Sequence, residues 1–219
     1  MSIRQPGDLA KTAAGLYIDG PRFLRNVQIY RPYICPFGEL MAAVPAGARV
    51  LDVGCGGGLF LGLLASEGTI TDGLGIDTSE SAIRLARQMT GRLPAGCHLD
   101  FEVRAVLDDW PARTFDAVSI IDVIHHVPPK NQKAVFDRAS LAVGGNGLLI
   151  YKDMCKTPAW RAWTNRAHDL IMARQWVHYV HPQRVVQWAE EAGLAVVGTE
   201  RINNFWYGHD LLVFRRGGP

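Results

Sequence analysis

Arg49-Val50-Leu51-Asp52-Val53-Gly54-Cys55-Gly56-Gly57-Gly58 is the stretch on which the reading of this chain turns. Its first five residues read as a buried strand, which stops at a turn with almost no side chains. Such a turn lets a ligand approach the backbone closely. The helix expected over Leu59–Ser66 aims its unpaired N–H groups at that ligand. Residues 73–77 read as the next strand and place Asp77 at its end, about twenty residues on, where a doubly wound sheet sets an acid against ribose hydroxyls. A glycine turn followed by that acid points to an adenosine-bearing ligand.

The same rhythm extends outward in both directions. Ser79 is placed to cap a helix running to about Met89. Residues 99–103 alternate like a strand, and Phe115–Ile121 reads as another. Residues 131–141 have a helical pattern and are followed by the turn Gly144-Gly145-Asn146-Gly147, after which residues 148–151 form a fifth strand. A helix over residues 183–192, a strand at 194–197 and a last strand over 205–214, interrupted by Gly208, complete the pattern. Alternating strands and helices predict an α/β fold, a Rossmann-like, doubly wound and mostly parallel sheet. Two stretches lie outside the regular units: residues 1–45, expected as N-terminal helices forming a cap, and the Trp-rich insertion 152–180 after the fifth strand. The cofactor-binding core is then 46–151 and the C-terminal unit of the sheet 181–219, within one domain of 219 residues.

Composition narrows the classes. Hydrophobic residues make up 48% and charged residues 20%, ordinary for a chain that buries a real core. A net charge of +2 gives no basis for a nucleic-acid partner. Cys35, Cys55, Cys97 and Cys155 are far apart, so neither a zinc signature nor a disulfide framework is expected, and no metal is anticipated. The stretch MSIRQPGDLAK has no apolar core of signal-peptide length, so no secretory leader is expected, and no apolar run of about 18 residues occurs. The expectation is a cytoplasmic protein without stable membrane association, either monomer or homodimer.

A dinucleotide would want a glycine where the chain has Leu59. Asp52, inside the strand end, is unhelpful beside a pyrophosphate but useful beside an ammonium group. VLDVGCGGG, then GIDTSE, then TFDAVSIIDVIHHV resembles motifs I, II and IV of the class I S-adenosylmethionine-dependent methyltransferases, in their order and spacing, over roughly residues 46–150. The resemblance implies a seven-stranded sheet whose last strand is antiparallel, S-adenosyl-L-methionine as cofactor, and methyl transfer to a small-molecule acceptor, most readily at oxygen. It implies that Gly54, Cys55 and Gly56 line the methionine portion with Asp52 nearby, that Asp77 and Thr78 hold the ribose, and that Ile121 and Asp122 meet the ammonium group. Where the family often carries an adenine-binding Asp, this chain has Val106. Backbone groups of Val106 and Leu107, with the Asp108 carboxylate, are the expected substitutes.

Methyl transfer from a sulfonium is largely positioning, and a base is needed only when the acceptor must lose a proton. His125 and His126, just past the fourth strand, and His168 and His178, in the insertion, are the candidate bases. Trp160 and Trp163 fall on one face of a helix expected from Pro158 onward, with Asn165 elsewhere around it. They read either as a core stripe or as a lid over the acceptor. Tyr33 is the N-terminal candidate for the substrate side, while Tyr17 can close over the cofactor and Arg31 can pair with a carboxylate. Neither N-P-P-Y nor Pro-Cys follows the fourth strand, which removes DNA-methylating chemistry of those kinds. The alternatives are a lipid or polyene-like hydrophobic acceptor, and a non-catalytic cofactor-binding scaffold.

Overall fold

A computed structural model describes residues 3–154, 178–204 and 207–217. Three helices open the chain, α1 (Pro6–Leu16), α2 (Arg22–Tyr30) and α3 (Phe37–Ala42), with a 3₁₀ turn at Arg31–Tyr33. The core follows as β1 (Arg49–Val53), α4 (Leu59–Ser66), β2 (Asp72–Asp77), α5 (Glu80–Thr90), β3 (His98–Val103) and β4 (Phe115–Ile121). A 3₁₀ turn at Ile124–His126 leads to α6 (Pro129–Ala142) and β5 (Val143–Met154). The chain then continues through α7 (Pro182–Glu191), β6 (Leu194–Asn204) and β7 (Tyr207–Arg216).

The strands form one seven-stranded sheet in the order β3-β2-β1-β4-β5-β7-β6. The neighbours from β3 to β5 are parallel, while β7 is antiparallel to both β5 and β6. Strand order reverses between β1 and β4, and the crevice at their carboxyl ends is where such sheets bind ligands. The period of two sorts side chains to two cores. Val50 packs with α1, α3, α4 and α5, while Leu51 and Val53 pack with α6 and α7. Leu59 to Ala65 are buried all the way around, so α4 lies between the sheet and the N-terminal helices. Ser79 caps α5, its hydroxyl accepting the Ala82 N–H at 3.3 Å.

Two sequence expectations change. Gly144–Gly147 does not separate α6 from the fifth strand: β5 begins at Val143, which pairs with Phe115 before the register shifts at Ala117. The glycines allow that irregularity, since a Cβ on Gly147 would meet the Asp116 carbonyl at 3.1 Å. Nor does Gly208 interrupt the last strand. It pairs with Asn203 in the β6–β7 ladder, whose register shifts only between Val196 and Gly198, and β6 itself extends well past residue 197. β5 also runs on to Met154, so Lys152 and Asp153 are strand residues. Most of the expected insertion, with Trp160, Trp163, Asn165 and His168, lies outside the described residues, as do Phe205 and Trp206.

Candidate active site

The glycine turn is built by its contacts with β2. Gly54 and Cys55 donate their N–H groups to the Ile76 carbonyl at 2.8 and 3.0 Å. Gly54 has φ +71, and a Cβ there would stand 2.4 Å from Val123 on the motif-IV turn, so only glycine fits between the two turns. Asp77 closes the ring: Oδ2 accepts the Gly56 N–H and Oδ1 the Ser79 N–H, both at 2.8 Å. From the N-terminal side, the buried Tyr17 hydroxyl donates to the Gly57 carbonyl at 2.7 Å.

Above these turns lies a cleft of about 450 Å³ lined by Gly54, Asp77, Thr78, Val106, Leu107, Asp122, Val123, His126, Val127 and Pro128. A smaller cavity shares Gly54 with it and is lined by Arg31, Phe37, Asp52, Cys55, Leu59, Phe60 and Ile121. The larger has Asp77 at its wall, and the smaller, of about 10 Å³, brings the buried Asp52 carboxylate and the Arg31 guanidinium to one place. Asp52 accepts the Ser119 hydroxyl at 2.7 Å. Burial pushes its carboxyl up to about 7, against the Ser119 hydrogen bond and Arg31 and with the help of Asp77.

Most of the expected cofactor residues are therefore brought together. Asp108 is not among the cleft residues: its carboxylate accepts the Ala105 N–H at 2.9 Å and shapes its own loop. The Val106 carbonyl accepts the Trp110 indole N–H at 3.2 Å, which anchors the same loop. Tyr33 is 41% exposed and leans on Tyr30, with ring centroids 6.4 Å apart, outside both cavities. The His178 side chain is exposed, and only its backbone reaches the site, donating to the His125 carbonyl at 2.8 Å and accepting from Gln132 at 2.7 Å.

The turn after β4 carries a polar network that the sequence reading did not foresee. Asp122 sits at φ +58, and burial alone would raise its carboxyl. Lys152, at 2.6 Å, and Arg31, at 3.7 Å, outweigh burial and hold it well below the usual carboxylate range. His125 is 1% exposed, its Nδ1 hydrogen-bonded to Asp153 at the end of β5. His209 lies nearby, and burial followed by the Lys152 charge brings its pKa down to about 3. Asp122, His125 and Asp153 bring ligand atoms within 4.8 Å of one another, but the cation already on Asp122 is the Lys152 ammonium.

A family profile described as a methyltransferase domain matches residues 26–199. The chain belongs to the class I methyltransferase family. Among curated relatives, a ubiquinone biosynthesis O-methyltransferase of Xanthomonas axonopodis is 30% identical over 158 residues, covering 68% of this chain and 64% of that protein. Its Coxiella burnetii counterpart is 28% identical, covering 69% and 65%. The match thus spans a little under two thirds of these relatives. In fold, the magnesium protoporphyrin IX methyltransferase of Synechocystis with bound S-adenosylhomocysteine superposes with a TM-score of 0.69 at 18% identity, over 94% of this chain and 93% of that one. In this methyltransferase, the Gly54–Gly58 turn follows β1 and Asp77 ends β2. Lys152, Asp153, Ser119 and His209 are the residues that the motif resemblance did not mark. For Lys152 and Asp153 the one signal was two charges directly after the apolar run 148–151.

Proposed function

We propose that this methyltransferase transfers the methyl group of S-adenosyl-L-methionine to an oxygen of a small-molecule acceptor. The observation that carries the reading is the pair of cavities sharing Gly54, one with Asp77 at its wall and one with Asp52 and Arg31. Asp77, already fixed by two backbone N–H groups, keeps acceptor capacity for ribose hydroxyls. Thr78, Val106 and Leu107 flank the nucleoside. Asp52 and the Ile121 carbonyl take the ammonium group, and Arg31 takes the carboxylate. When bound, the sulfonium supplies an electrophilic methyl group and a neutral leaving group. The residues around it need only orient it, exclude water and accept the acceptor's proton.

Oxygen is favoured because both curated relatives are named as O-methyltransferases of ubiquinone biosynthesis. A phenolic or quinol ring is the acceptor class to which that name points. No helix among the described residues is long and apolar enough to cross a membrane. Cys35, Cys55 and Cys97 are free thiols, consistent with a reducing, cytoplasmic setting.

Calorimetric titration with S-adenosylhomocysteine and with NAD is the first test, followed by mass spectrometry of a catechol panel incubated with S-adenosylmethionine. Binding of the homocysteine product with a mass gain of one methyl group on a ring oxygen is expected. Binding of NAD in its place would overturn the assignment. A fold that binds the homocysteine product yet methylates no acceptor would move the protein toward a cofactor-binding scaffold.

A further inference from the structure

The smaller cavity, at about 10 Å³, has room for roughly one water molecule. The amino-acid end of the cofactor, with its ammonium and its carboxylate, does not fit into that space as it stands. One wall must therefore yield, and the packing shows which. Asp52, Cys55, Leu59, Phe60 and Ile121 belong to β1, the glycine turn, α4 and β4, and all are buried. Phe37 is equally buried and stacks on Phe60, with ring centroids 6.1 Å apart. Arg31 is the exception. Its side chain is 24% exposed, 3.7 Å from Asp122 and 5.9 Å from the centre of the Phe37 ring. Its release leaves no uncompensated carboxylate behind, because Asp122 keeps the Lys152 ammonium at 2.6 Å.

Arg31 directly follows α2, which is lightly seated. Of the nine residues of α2 only Gln28 is buried, whereas α1 and α3 each bury four. The Gln28 amide lies against Gly57, yet its Oε1 has no hydrogen-bond partner among the described residues. Among those residues the one side-chain hydrogen bond from α2 runs from Arg25 Nε to the Tyr17 carbonyl, at 2.8 Å. Few buried side chains and an unpartnered buried oxygen mark a segment that opens well below the stability of the whole fold. We infer that α2 and Arg31 form a gate for the amino-acid end of the cofactor: Arg31 swings away from Asp122 to admit it and closes on its carboxylate. In the closed arrangement the guanidinium charge acts on both Asp52 and Asp122. The entering ammonium group takes over that role as the gate opens. The inference rests on the cofactor placement of the proposed function, and it adds a step that the nucleoside half does not need.

Two ligands test the gate in stopped-flow protein fluorescence: S-adenosylhomocysteine, and 5′-methylthioadenosine, which shares the nucleoside and the sulfur but lacks the amino-acid end. The observed rate for S-adenosylhomocysteine should become independent of its concentration at high ligand, because opening limits it. The rate for 5′-methylthioadenosine should stay proportional to concentration. Arg25→Met, which frees α2 from Tyr17, should raise the limiting rate about 3–10-fold and leave 5′-methylthioadenosine association unchanged. Arg31→Ala should abolish the limit and speed dissociation of S-adenosylhomocysteine, since the carboxylate loses its partner. Wild-type association of S-adenosylhomocysteine that stays proportional to concentration overturns the gate, as does a limit that neither variant moves. In both cases tighter binding of S-adenosylhomocysteine than of 5′-methylthioadenosine would leave the cofactor placement standing. Equal wild-type affinity for the two ligands would mean that the amino-acid end has no site, which overturns the placement and the gate together.

Discussion

Lys152 and Asp122 are joined twice, by the ammonium to Oδ1 at 2.6 Å and by the Asp122 N–H to the Lys152 carbonyl at 2.9 Å. The lysine side chain has no exposed surface at all. The double link holds Asp122 at φ +58, a conformation that costs a non-glycine residue about 1–3 kcal/mol. The end of β4 is therefore set by a partner on β5, and its geometry is inherited by Val123 and His126 in the cleft.

Removing one partner should be worse than removing both. Lys152→Met leaves a buried carboxylate beside Arg31 alone and is expected to cost about 3–5 kcal/mol. Lys152→Met with Asp122→Asn should recover a good part of that loss, because no uncompensated charge remains. Urea denaturation of the two singles and the double gives the coupling energy. Additive losses would mean that the pair is not the element that sets the turn.

How much of this was legible in the sequence depends on the distance between partners. The Gly54–Gly58 turn and Asp77 are local features, and the strand period around them is strong, so the parallel core and the turn between β1 and α4 could be read directly. The polar network after β4 is made of pairs that meet only when β4 lies beside β5: Lys152 with Asp122, and Asp153 with His125, at separations of 30 and 28 residues. Ser119 with Asp52, 67 apart, is of the same kind. No local periodicity announces such pairs. The Gly144–Gly147 misreading has the opposite cause. The composition is that of a turn, but pairing of Val143 with Phe115 carries the strand through it, with Asn146 at φ +61 absorbing the irregularity.

Gly54→Ala should separate two costs. The new Cβ would stand 2.4 Å from Val123, and the residue would remain at φ +71. The overlap and the backbone strain should together destabilise the fold and abolish S-adenosylhomocysteine binding. Adding Val123→Ala removes the overlap but not the strain, so about 1–2 kcal/mol of the loss should persist. Thermal melts of both variants check this, and a Gly54→Ala protein with unchanged stability and binding would show that the two turns can move apart.

Asp77→Asn is expected to act on both ligand and scaffold. Its carboxylate accepts two backbone N–H groups, so folding should lose about 1–2 kcal/mol. Affinity for S-adenosylhomocysteine should fall further, by roughly 1.5–3 kcal/mol per charge-assisted ribose bond lost. Calorimetry on folded protein separates the two effects. Intact affinity would remove Asp77 from the ribose.

Asp52 gives cofactor binding a pH dependence whose sign follows from its environment. Burial, against Ser119 and Arg31, brings its folded carboxyl up to about 7, whereas an unfolded Asp titrates near 3.9. Between those values the folded protein holds a proton that the unfolded chain has lost, so Asp52 makes stability decline as pH rises through the window. An ammonium group placed beside it favours the ionised form. Affinity for S-adenosylhomocysteine should therefore increase with pH and level off above about 7, with a proton released on binding near pH ~6. Titrations in two buffers of different ionisation enthalpy measure that proton directly. Asp52→Asn should bind more weakly, without proton release and with a flat profile across the same range. Equal heats in both buffers for the wild type at about pH 6 would mean that Asp52 either stays ionised before the ligand arrives or does not meet its ammonium group.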